Sequence, residues 1–148
     1  MSVQSQVMDQ MKVAMKAKDK VALESLRALK SAFLLANTSG GSIELSEEDE
    51  IKIVQKLVKQ RKDSAAIYTE QGRADLADPE LAQSAILEQF LPAQMGEDEL
   101  KEVIGAIISQ TGATSMRDMG KVMGMASQQL AGKADGKTIS MLVKKLLT

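Results

Sequence analysis

The sequence contains no cysteine, no histidine and no tryptophan, only two prolines, and three aromatic residues, Phe33, Tyr68 and Phe90. Without cysteine there are no disulfides, thiolate nucleophiles or thiolate metal sites. Without histidine the commonest general base and the commonest metal ligand are both missing. Three aromatics do not build the stacking platform that single-strand binders use. Long apolar runs are absent too: no window approaches the roughly 18–20 residues of a membrane span, and residues 1–10 carry no apolar stretch of signal-peptide length. These absences lead to the expectation of a cytoplasmic protein with no metal, no cofactor and no membrane attachment. Nor is there an excess of charge of one sign. Lysine and arginine number 19 against 20 aspartates and glutamates, and the pI near 5.6 gives no general steer towards nucleic acid.

The 148 residues include 44% hydrophobic and 26% charged side chains, enough to bury an ordinary core. Ala, Leu, Met, Lys, Gln and Glu dominate, period-two alternation is missing, and the sequence reads as helix almost throughout. Val3, Val7, Met11, Ala14 and Met15 form a first apolar stripe. Asp19 caps a second helix carrying Ala22, Leu26, Leu29 and Phe33. A loop is expected from Asn37 to Ser42, around Gly40-Gly41. Ser46, followed by Glu47 to Glu50, opens a long helix with acid at its positive end. That helix carries Ile51, Val54, Leu57, Val58, Ala65 and Tyr68 and stops at Gln71-Gly72. Asp78-Pro79-Glu80 reads as cap, first-turn proline and acid for a fourth helix, with Leu81, Ala85, Ile86 and Phe90 on its apolar side.

The segment Leu91 to Gly96 is the expected domain boundary, because Pro92 disfavours helix at Leu91 and Gly96 precedes a new acidic first turn. Three shorter helices follow. The first carries Leu100, Val103, Ile104, Ile107 and Ile108 and stops at Gly112. The second starts at Ser115, with Asp118 at the capping-box position, and carries Met119, Val122, Met123, Ala126 and Leu130. The third follows Asp135 and carries Ile139, Leu142, Val143 and Leu146. The expected fold is all-α: an N-terminal bundle of long helices over 1–92, then a small three-helix unit over 93–148.

Four features bear on function. The acidic run Glu47 to Glu50 lacks the glycine-centred loop of a calcium site and reads as a solvated helix start. Lys52, Lys56 and Lys59, followed by Arg61-Lys62, form either a phosphate-contacting ridge or, as the preferred reading, the solvated face of an amphipathic helix. Met116, Met119, Met123 and Met125 read as core at helical spacing, with Met125 off the stripe. The most informative stretch is Gly120, Lys121 and Gly124, followed by Gly132-Lys133-Ala134-Asp135-Gly136-Lys137. Each mid-helix glycine costs up to about 1 kcal/mol relative to alanine, so Gly120 and Gly124 imply the close approach of another helix or of a ligand. The turn at Gly132 reads either as a plain helix connection or as a phosphate-receiving helix start. After Gly112 there are six basic residues and two acidic ones, a net of plus four.

In these words the chain resembles the YqeY family: Leu26-Arg27-Ala28-Leu29-Lys30, Lys59-Gln60-Arg61-Lys62-Asp63-Ser64, Gly72-Arg73-Ala74-Asp75-Leu76, Phe90-Leu91-Pro92-Ala93-Gln94, and Ser115 to Gly124. A narrower pattern, Gly120, Gly124, Gly132, Lys133 and Ala134, is similar to the tail of the B subunit of tRNA-dependent amidotransferase. There the chain departs in having Gln128 where the tail commonly has lysine, and Asp135-Gly136 where it has Asn-Pro. The resemblance implies a non-catalytic accessory module. The carbon–nitrogen ligation with glutamine as amide donor resides in domains for which this chain has no room. It further implies tRNA as ligand, with Arg117, Lys121, Lys133 and Lys137 as candidate RNA-binding residues and Gly120, Gly124 and Gly132 as motif and close-packing glycines. The alternative is an adaptor for a protein partner in translation, with no nucleic-acid role.

Overall fold

The computed structural model describes residues 2–39 and 44–148. Among them are seven α-helices, one short 3₁₀ turn and no strand: α1 Val3–Ala17, α2 Lys20–Ser39, α3 Glu47–Glu70, α4 Ala74–Glu88, α5 Glu97–Thr111, the 3₁₀ turn Met116–Asp118, α6 Met119–Gln129 and α7 Gly136–Leu147. The chain divides into two compact units, Met1–Leu91 and Pro92–Thr148.

In the first unit the helix ends follow local chemistry. Ser2 caps α1 by accepting from the Ser5 N–H. Lys18 closes α1 in the left-handed conformation, with φ of 55°. Asp19 caps α2, its carboxylate accepting from the Ala22 N–H at 3.1 Å. Ser46 and Asp49 cap α3 reciprocally in a capping box. Gly72, at φ +72°, makes the turn into α4. The core gathers Val3, Val7, Ala14, Ala22, Leu26, Leu29, Phe33, Val54, Val58, Leu87 and Phe90.

In the first unit the structure corrects four local expectations. Helix α2 continues through Ser39, so Asn37 is helical, and the Gly40-Gly41-Ser42 part of the expected loop lies outside the described residues. Helix α4 begins at Ala74 and not at Asp78, leaving Pro79 inside it. The added first turn is held by the Ala77 N–H on the Arg73 carbonyl at 3.0 Å, by burial of Ala77, and by a two-pronged Arg73–Asp75 pair. On α4 the buried side chains are Ala77, Ser84 and Leu87, while Leu81 and Ala85 are exposed. Apolar residues surround this helix, so spacing alone does not select its inward face; Ser84 tolerates burial by donating its hydroxyl to the Leu81 carbonyl at 2.9 Å. Met15, on the expected α1 stripe, is 52% exposed.

The second unit has its own core: Leu100, Ile104, Ile107, Val122, Ala126, Leu130, Ile139, Leu142, Val143 and Leu147, with Met95, Met119, Met123 and Met125 packed against it. Met125 thus reaches the core although it falls off the heptad-like spacing, because an unbranched thioether bends into irregular gaps. Helix α5 stops at Gly112, which takes the left-handed conformation. Ser115 starts a 3₁₀ turn, and α6 proper begins at Met119. The Asp118 carboxylate accepts from the Thr114 N–H at 3.0 Å and closes this junction.

Candidate nucleic-acid interface

Two polar residues of α3 face inward against expectation. Glu50 is 3% exposed, and its carboxylate accepts from the Gln4 N–H at 2.9 Å, satisfying one of the free donors at the start of α1. Arg61 holds its Nε buried without a hydrogen-bond partner among the described residues. Both were legible in principle: residues 50, 54, 58, 61 and 65 continue one helical stripe, and a charged residue on such a stripe turns inward unless its side chain can escape.

Three of the four remaining basic residues of α3 favour the solvated-face reading. Lys52 pairs with Glu48 at 3.0 Å, Lys59 with Asp63 at 2.7 Å, and Lys62 with Glu88 of α4. The hydrogen bond from Lys52 to Glu48 holds its ammonium above the usual lysine pKa. Cations already matched by carboxylates make a weak phosphate ridge.

In the second unit the glycine motif splits into two parts with different jobs. Gly132 is buried and takes φ +77°, a conformation that excludes most side chains. Its carbonyl accepts from Gln94 Nε2 at 2.6 Å, the Lys133 carbonyl accepts from the Met95 N–H at 3.0 Å, and Ala134 enters the core. Gly132, Lys133 and Ala134 therefore build the turn between α6 and α7. Gly120 and Gly124 do something else. Both are exposed on α6, and a Cβ added at either meets no heavy atom within 4 Å. Close packing within the unit therefore does not account for them, which corrects that expectation.

Arg117, Lys121 and Lys137 are exposed and Lys133 half-buried, and none of the four is held in an ion pair among the described residues. Arg117 and Lys121 lie at the start of α6. Lys133 lies in the turn after α6 and Lys137 in the first turn of α7. In sequence Gly120 lies between Arg117 and Lys121, and Gly124 between Lys121 and Lys133. The phosphate-receiving helix start is not available as expected. Asp135 caps α7 with its own carboxylate, accepting from the Thr138 N–H at 2.6 Å, which puts negative charge where an anion would bind. Among the described residues no cluster of three or more carboxylates could hold a metal, and no helix is long and apolar enough to cross a membrane.

Comparison with known proteins decides the family. The family model described as Yqey-like protein matches residues 4–147. The chain belongs to the YqeY family. Two curated relatives are proteins named "Altered inheritance of mitochondria protein 41, mitochondrial". The one from Meyerozyma guilliermondii is 32% identical over 128 residues, covering 80% of this chain and 63% of that protein. The one from Pyrenophora tritici-repentis is 26% identical over 141 residues, covering 93% of this chain and 76% of that protein. The chain thus spans a little under two thirds of the first relative's length. A third match ties the family to amidotransferases. It is a glutamyl-tRNA(Gln) amidotransferase subunit of Thermococcus gammatolerans, 28% identical over 107 residues, which is 70% of this chain and 17% of that protein. The expectation of a cytoplasmic protein is corrected, since both fungal relatives of this YqeY chain are named as mitochondrial. That expectation rested on the lack of a targeting stretch, and a folded domain carries no address in its core pattern.

Proposed function

We propose that this YqeY-family chain is a non-catalytic accessory module whose C-terminal unit lies against tRNA along the outward face of α6. The observation that carries this reading is the pair of bare glycines. Gly120 and Gly124 each destabilise α6 by up to about 1 kcal/mol and clear space for nothing among the described residues of their unit. Glycines kept at that cost on an open helix face suit a surface that must come within backbone distance of something outside. Arg117 and Lys121 at the start of α6, with Lys133 and Lys137 in the turn after it and at the start of α7, supply cations free to contact phosphates. The match to a glutamyl-tRNA(Gln) amidotransferase subunit supports RNA as the ligand class. The ligation chemistry itself belongs to the larger part of that enzyme, which this chain does not match.

Titration of tRNA into the full chain at two salt concentrations tests the reading. Three or four phosphate contacts give a log–log salt slope of roughly −2 to −4, so affinity falls by roughly 15- to 250-fold between 50 and 200 mM salt. Gly120→Gln with Gly124→Gln raises stability by about 0.5 kcal/mol at each site through helix propensity and weakens tRNA binding. Lys133→Glu with Lys137→Glu removes the salt-sensitive binding and leaves the helical content intact. Wild-type protein that shows no salt-sensitive binding, or a glutamine pair that binds tRNA as well as wild type, transfers the reading to a protein partner.

A further inference from the structure

The first unit presents a second surface, independent of the glycine face. Between α1 and α2 runs a groove of about 140 Å³. Gln4 and Met8 form one wall, Lys30 and Leu34 the other, and Val7 and Phe33 the floor. Met8 is 42% exposed and Leu34 62% exposed, so the walls are apolar surface left in water. Helical spacing extends both walls: Met11 and Met15 follow Met8 at i+3 and i+7, and Arg27 precedes Lys30 and Leu34 at the same intervals. Arg27 and Lys30 are exposed and have no ion-pair partner among the described residues. No carboxylate among those residues lies on either wall. On the flanking helices Asp9 pairs with Lys12 and Glu24 accepts from Gln83, and the buried Glu50 carboxylate of α3 is occupied by the Gln4 N–H at 2.9 Å.

We infer that this groove is a docking surface for an acidic amphipathic helix of a partner protein, with its apolar side on Met8, Met15 and Leu34 and its carboxylates against Arg27 and Lys30. Unbranched methionines adapt to the side chains laid on them, and an apolar groove flanked by cations matches the way a helix with an acidic margin is held. Charge selects the occupant. A second copy brought onto the same face by two-fold symmetry sets Arg27 and Lys30 against themselves. A nucleic acid gains nothing from Met8, Met15 and Leu34, and a lipid surface is flat where this surface is concave.

The test uses the full chain labelled at its methionine methyl groups and a synthetic helix of about 18 residues, roughly five turns, with leucines along one face and glutamates on its flanks. The acidic peptide shifts the Met8 and Met15 methyl signals and leaves those of Met116 to Met125 in place. Lys30→Glu with Leu34→Glu weakens binding by roughly tenfold or more. Both side chains are exposed, so the fold is retained, which the unchanged signals of the second unit verify. Arg27→Glu with Lys30→Glu moves the preference to the same peptide carrying lysine for glutamate. Absence of a shift with millimolar acidic peptide, or an equal response to the lysine peptide in wild type, overturns the inference. Shifts of the same methyls on raising protein concentration alone, on adding tRNA, or on adding phosphatidylcholine–phosphatidylserine vesicles overturn it in favour of a second copy, RNA or lipid respectively.

Discussion

Arg61 and Glu50 sit on the same buried stripe of α3 and differ in what meets them. Glu50 accepts from the Gln4 N–H, so Glu50→Ala leaves a donor unpaired at the start of α1 and costs about 1–3 kcal/mol, whereas Glu50→Gln, which keeps an acceptor oxygen, loses much less. Arg61 Nε has no partner among the described residues, and a buried donor without one is a liability. Arg61→Met therefore leaves stability unchanged or raises it, as urea unfolding reads. The exposed Arg73–Asp75 pair is a pH probe. Hydrogen bonds from Arg73 hold the Asp75 carboxyl below its usual range. A carboxyl depressed in the folded state stabilises it above the ordinary carboxylate pKa, and that contribution is lost as pH falls through the lower folded value. In Arg73→Gln the Asp75 titration, followed by NMR, moves back up to the ordinary range, with little change in global stability because both groups are solvated.

At the scale of the element, α4 separates the two readings of Pro79. Proline at the first helical position is favourable, so if α4 began at Asp78 its replacement would be costly. With α4 starting at Ala74, Pro79 lacks the N–H that would reach the Asp75 carbonyl, and its ring crowds the same turn. Pro79→Ala therefore stabilises the protein, by about 1–2 kcal/mol. A lower thermal midpoint in that variant would place the helix start back at Asp78. Most other helix ends were legible from short-range chemistry alone: Asp19, Ser46, Gly112 and Asp135 all act where their residue types led us to expect. The start of α4 was not legible, because what holds its extra turn is Ala77 packing into the unit and a side-chain clasp at the α3–α4 turn. Neither leaves a mark in the hydrophobic period. The bare face of α6 was half legible. The spacing of Gly120 and Gly124 pointed to close approach, and only the tertiary structure showed that nothing inside the unit makes it.

For the whole molecule, the division at Leu91–Pro92 leads to a proteolysis experiment. We expect the segment between Leu91 and Gly96, which is not helical, to be cut before any bond in Ile51 to Tyr68, and both products to keep their helical content because each has its own core. Equal cutting within α3 would contradict two independently folded units. The sequence alone determined that the chain is helical, where most of its helices are capped, that it lacks thiol and imidazole chemistry, and which family words it carries, because each of these depends on residue identity or on spacing within one or two turns. The tertiary structure alone decided which face of α4 is inward, that the inward Glu50 meets the Gln4 N–H while the inward Arg61 Nε meets no partner among the described residues, that Lys62 pairs with Glu88 of α4, and that Met8 and Leu34 flank a groove. Those outcomes depend on which helix lies beside which, and side-chain pairing between residues dozens of positions apart is set by packing, not by local periodicity.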